Sequence, residues 1–151
     1  MTKENLNSYL QICKRVLKQH AARLTQPRLA VATCLNQSDK PLSPREVLEG
    51  ISANKNLPEV DKVTVYRILE AFLDYGLVHQ VGPSGEYVPC THVSCAKGFH
   101  VLTRCTECGA TNESHLPEEL ADSFKNFLEK SLKFSPTEHV MQIDGCCKKC
   151  I

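Results

Sequence analysis

The chain has 151 residues, a hydrophobic share of 42% and a formal net charge of +1, enough for one ordinary domain or two small ones with marginal separate cores. No apolar run approaches the roughly 18 residues of a membrane span. The start, Met1-Thr-Lys-Glu-Asn-Leu-Asn-Ser8, lacks the apolar stretch of a signal peptide, so a cytoplasmic protein with no membrane partner is expected.

Residues 6–20 predict an amphipathic helix, with Leu6, Tyr9, Leu10, Cys13, Val16 and Leu17 at helical spacing. His20 closes it, where a cation complements the helix dipole. Thr25 is placed to cap a second helix, with Pro27 in its first turn, that runs to about residue 37. Its apolar residues lie nearly all round, as in a central, buried helix. Ser43-Pro-Arg-Glu46 is a capping box opening a third helix to about residue 54. After a loop over 56–61, a fourth helix is expected from about Lys62 to Tyr75. Val65, Ile68, Leu69 and Phe72 form its inward stripe, and Gly76 stops it. Short strands over 77–81 and 86–90 follow, joined by Gly82-Pro-Ser-Gly85. Helices followed by a β-hairpin describe a winged helix-turn-helix.

Beyond Thr91 the pattern changes. Strands are expected over 101–104 and 111–116, a helix over 117–133 with Leu120, Phe124, Phe127 and Leu128 on one face, and a strand over 138–144. The expected class is α+β, with a winged helix-turn-helix over 1–91 and a small α/β domain over 92–151. Charge divides the same way. Residues 1–28 carry Lys3, Lys14, Arg15, Lys18, Arg23 and Arg28 against Glu4 alone, while the second part is balanced. A basic face suits a polyanion partner, although a solvated helix surface gives the same pattern.

Nine cysteines in a chain without a secretory signal favour metal over disulfides. Cys105-Thr-Glu-Cys108 and Cys147-Lys-Lys-Cys150 are two C-x-x-C pairs whose first members stand 42 positions apart. Each spacing lets one tight turn aim two sulfurs at one ion, and two pairs make a tetrahedral four-thiolate site suited to structural zinc. The separation exceeds that of a compact zinc ribbon, so a folded segment must lie between the pairs. Cys146 breaks the register and reads as a bystander able to substitute or oxidise. Cys13 and Cys34 sit on apolar faces as core thiols.

Val63-Thr-Val-Tyr-Arg-Ile-Leu69 resembles the recognition-helix signature of the ferric uptake regulator (Fur) family, and Leu24-Thr-Gln-Pro-Arg-Leu29 resembles its second helix. The Cys105–Cys108 knuckle with a histidine before it, and His139 followed by Gly145 and the second C-x-x-C, extend the match in order along almost the whole chain. Within the family the sequence is most similar to the zinc uptake regulator (Zur) branch. That resemblance implies a second, regulatory zinc at His79, Cys90, His100 and Glu113, with the fourth ligand open among His100, His92 and Cys95. A thiolate favours zinc over iron or manganese. His139, His115, His92 and Cys95 are candidates for an additional metal, and at least two zinc ions per subunit are implied.

The resemblance also implies that Arg67 reads a guanine edge in the major groove. Thr64 and Tyr66 would reach a thymine methyl or phosphates, and Arg23 and Arg28 would grip phosphates. The expected protein is a homodimeric, zinc-responsive repressor of zinc-uptake genes, not an enzyme, acting on a palindromic, A·T-rich double-stranded operator. Alternatives are an iron, manganese or peroxide sensor of the same family, a zinc-ribbon interaction module, and a C-x-x-C redox protein.

Overall fold

Ser43 shows how directly local chemistry sets this fold. Its hydroxyl accepts from the Glu46 backbone N–H while the Glu46 carboxylate accepts from the Ser43 N–H, so the capping box forms as expected and starts α3 (Pro44–Ala53). The structure is a computed structural model that describes residues 3–82, 85–90, 99–136 and 140–151, with backbone alone over 3–7. The chain divides into two compact units, Met1–Val93 and Ser94–Ile151.

The first unit contains α1 (Lys3–Gln19), α2 (Gln26–Gln37), α3, α4 (Lys62–Asp74), β1 (Val78–Val81) and β2 (Glu86–Pro89). Thr25 stands at the cap of α2 with extended backbone, but its side chain makes no capping bond; its carbonyl accepts from Leu29 instead. Every expected inward residue of α4 (Val65, Ile68, Leu69, Phe72) is buried. They pack with Tyr9, Leu17, Val31, Leu35, Val47, Ile51 and Leu77 in one core. Gly50 lets α3 approach α2: a Cβ there would stand 2.7 Å from the Cys34 sulfur. Gly76, at φ 67°, ends α4 in the left-handed conformation that suits glycine. The wing pairs antiparallel, His79 opposite Val88. A reciprocal backbone bridge from Leu42 to Tyr87 adds a third strand position to it.

The second unit is a three-stranded sheet in the order β4-β3-β5, built from β3 (His100–Cys105), β4 (Thr111–His115) and β5 (Val140–Gly145). β4 is antiparallel to β3, and β5 is parallel to it. Helix α5 (Glu118–Asn126), followed by a π-helical turn over Phe127–Ser131, makes the crossover that a parallel partner requires. The expected single apolar face of this helix divides. Phe124 meets Phe99 edge to face at 5.9 Å. Leu120 (57%) and Phe127 (51%) stand exposed, while Ala121 is the buried residue of α5.

Candidate metal centre and nucleic-acid face

The parallel pairing of β3 with β5 places Cys105 opposite Gly145, so the two C-x-x-C turns leave neighbouring strand ends. The Thr106 N–H donates to the Gly145 carbonyl at 2.9 Å, tying the turns together. One residue earlier, Arg104 grips Asp144 with two bonds, of 3.1 and 2.8 Å, across the same strands. The first knuckle closes through Gly109 N–H to Cys105 O at 2.9 Å, and the second through Cys150 N–H to Cys147 O at 2.8 Å.

The four sulfurs, of Cys105, Cys108, Cys147 and Cys150, all lie within 4.8 Å of one another. Four thiolates about 2.3 Å from a central zinc define a tetrahedron with edges of about 3.8 Å. The Cys108 and Cys147 sulfurs are 3.8 Å apart, so the set fits the ion. Backbone N–H groups of Cys108 and then Cys147, the latter at 3.3 Å, pull the Cys105 thiol down to about 6. Hydrogen bonding with Cys147 and then Cys108 pushes the Cys150 thiol up to about 12. Of these two thiols, Cys105 is the readier to lose its proton. Cys146 stands beside this set with its thiol raised, first by burial and then by the Cys105 charge.

The other predicted ligands divide between the two units. In the first, Val88 is the register partner of His79 and Cys90 follows two residues later, which puts His79 and Cys90 on one face of the wing. Both are buried. Buried Cys13, pushed up to about 12 by desolvation, is an inert core thiol as expected. In the second unit His100 is fully buried, with its Nδ1 2.8 Å from a Glu113 carboxylate oxygen; the Glu113 side chain is 7% exposed. His115, the register partner of His100, meets it ring to ring at 5.2 Å and turns its own Nδ1 to the Leu116 carbonyl. His92, Cys95 and His139 lie outside the described residues, as does the boundary at Thr91.

The outer face of α4 carries the predicted DNA readers. Tyr66 and Arg67 are exposed, with the Lys62 ammonium 5.8 Å from the Tyr66 ring centre. Thr64 stands in the first turn of α4. Its hydroxyl donates to Asp61, and its N–H caps on the same carboxylate at 3.0 Å, so its polar group is engaged within the helix start. Asp61-Lys-Val-Thr64 carries an N-cap residue at the right offset, a local signal for this helix start. Arg28 donates to the Arg23 carbonyl at 2.8 Å, and Arg23 is exposed.

The model of the ferric uptake regulator family matches residues 19–144. The chain is 26% identical, over all of its 151 residues and 86% of the relative, to the zinc uptake regulation protein of Escherichia coli (strain K12). It is 29% identical over 140 residues, 91% of each chain, to the ferric uptake regulation protein of Bacillus subtilis (strain 168). A solved zinc uptake regulator complexed with zinc and DNA is similar at a TM-score of 0.79, with 25% identity, covering 99% of this chain and 96% of that one.

Proposed function

The chain belongs to the ferric uptake regulator family of transcriptional regulators, and from that premise we propose that it is a zinc-responsive, homodimeric repressor of zinc-uptake genes. The observation that carries the zinc reading is the buried imidazole of His79 and the buried thiol of Cys90 on one face of the wing. A thiolate beside an imidazole selects zinc over iron or manganese. His100 and Glu113, held together in the second unit, complete the proposed set.

Ligands drawn from both units close only in one relative orientation. Convergence of the four side chains therefore selects the orientation that presents two α4 helices to a two-fold symmetric operator. With zinc scarce, the side chains separate and repression lifts. Thermodynamic linkage makes zinc and operator affinities reciprocal. The Cys105, Cys108, Cys147 and Cys150 set holds the second, structural zinc, which supplies a crosslink between the ends of β3 and β5. Leu120, Phe127, Leu132, Phe134 and Ile143, exposed on the second unit, support that unit as the dimerisation surface. No described helix is long and apolar enough to cross a membrane.

The test is duplex binding against buffered free zinc, with the duplex drawn from a random pool by zinc-loaded protein. Cys90→Ser abolishes the zinc dependence while leaving a folded dimer; intact zinc-dependent binding in that variant removes Cys90 from the sensor. The Bacillus subtilis relative favours a second reading, an iron-responsive regulator of the same family, and the metal exchanged at the second site distinguishes the two.

A further inference from the structure

Building on the proposed operator binding, we infer that Val63 is a specificity-determining residue that packs against a thymine methyl group in the major groove. The neighbouring Thr64 lies to one side. On a helix turning about 100° per residue, Val63 falls within about 30° of the line opposite the buried stripe Val65, Ile68, Leu69 and Phe72, and Thr64 about 90° from it. The burial agrees: Val63 is 58% exposed, whereas Thr64 is partly covered and spends its hydroxyl on Asp61. An exposed β-branched apolar side chain in the first turn of α4 has no core to serve.

Its neighbours supply the context. Val63, Arg67 and Glu70 stand at i, i+4 and i+7 on the outer face, and all are exposed. Lys62 and Tyr66 flank them. The opening residues of a recognition helix are those that meet base edges. In that groove an apolar side chain matches the thymine C5-methyl and a guanidinium matches guanine. The stripe therefore reads a thymine beside the guanine taken by Arg67. Thymine is told from cytosine and from uracil by its methyl alone at that contact.

The experiment uses the full-length zinc-loaded protein. A preferred duplex is selected from a random pool, then resynthesised with single thymines replaced by uracil, which deletes one methyl and leaves the base pair. At one thymine per half-site, beside the guanine that Arg67→Ala ceases to distinguish, uracil is expected to weaken wild-type binding about fourfold, the equivalent of one buried methyl. Val63→Ala is expected to bind the two duplexes alike while keeping the guanine preference. Thr64→Val, retaining a methyl, is expected to keep the thymine preference. Indifference of the wild type to uracil at every position overturns the inference, as does Val63→Ala with an undiminished thymine-to-uracil ratio. A zinc-loaded protein that selects no duplex at all overturns the DNA-binding reading beneath it, and this outcome is distinct from selection without methyl sensitivity.

Discussion

Replacing Cys105 by serine is expected to unfold the second unit and leave the first folded. The asymmetry follows from how little the second unit buries. Among its described residues only His100, Leu102, Cys105 and Ala121 are buried. One enclosed leucine supplies about 1.5–3 kcal/mol, whereas a structural zinc supplies about 10–16 kcal/mol in small zinc-binding domains. A small domain's whole net stability is about 5–15 kcal/mol, so the four sulfurs, more than the core, decide whether the sheet persists. Cys105 is the position to change because it is the buried ligand and receives the Cys147 N–H at 3.3 Å. Serine offers no comparable thiolate. The assay is zinc content per subunit together with backbone amide spectra of the full-length protein. The expected result is one zinc fewer, collapse of the amides of β3, β4 and β5, and retention of those of α2, α3 and α4. A variant that keeps a well-dispersed second unit after losing that zinc would refute the reasoning, because packing alone would then suffice.

Arg67→Ala is expected to lose about 1–3 kcal/mol of sequence discrimination, measured as the affinity ratio between the selected duplex and one with its guanine changed. Equal weakening on all duplexes would make Arg67 a phosphate contact. Leu69→Ala removes a fully buried side chain from the core of the first unit and is expected to cost that unit about 2–5 kcal/mol, read by denaturant melting of the amide signals of α2 and α4. The Asp61 carboxyl is held below its ordinary value by the Thr64 hydroxyl and N–H. Its contribution is therefore complete above the ordinary carboxylate pKa and is lost as pH falls through the depressed one. The melting gap between wild type and Asp61→Asn should be constant above about pH 5 and narrow as pH falls below it, and a gap unchanged on acidification would exclude a contribution from the carboxylate charge at this cap.

Local signals in the sequence specify local structure, whereas non-local pairing leaves little trace in it. Ser43 and Glu46 specify their helix start within four residues, and the formed capping box needs nothing from elsewhere. The stripe of α4 was legible because every third or fourth residue answers to one core. By contrast, nothing within 138–144 indicates a parallel partner; the register of Cys105 against Gly145 depends on a crossover through α5. Spacing groups Leu120 and Phe127 with Phe124, and it reports that a helix has an apolar face and not what covers it. Motif order gives the residues along α4 but not the competition for their hydroxyls. The Thr64 hydroxyl donates to the Asp61 carboxylate at the helix start, which spacing along α4 does not reveal.

The two proposed thiolate-bearing sites differ in what binding can accomplish. The ligands Cys105, Cys108, Cys147 and Cys150 all belong to one unit, held by strand ends that Arg104 and Asp144 already clamp. Binding free energy there goes into the fold, so occupancy changes stability and carries no information about orientation. In the proposed sensor His79 and Cys90 belong to one unit, and His100 and Glu113 to the other. A ligand moves an equilibrium only by its difference in affinity for the two states. Carrying DNA-competent orientations from 1% to 99% takes about a 10⁴-fold preference, roughly 5.5 kcal/mol. Ligands lying within one unit would bind alike in every orientation and could supply none of it. A ligand set divided between the units binds fully in one orientation and partially in the rest, and losing even two of four ligands can furnish a difference of that size. On the proposed division of ligands, the wing thiol of Cys90 serves the regulatory chemistry, and the wide spacing between the paired C-x-x-C motifs serves the fold.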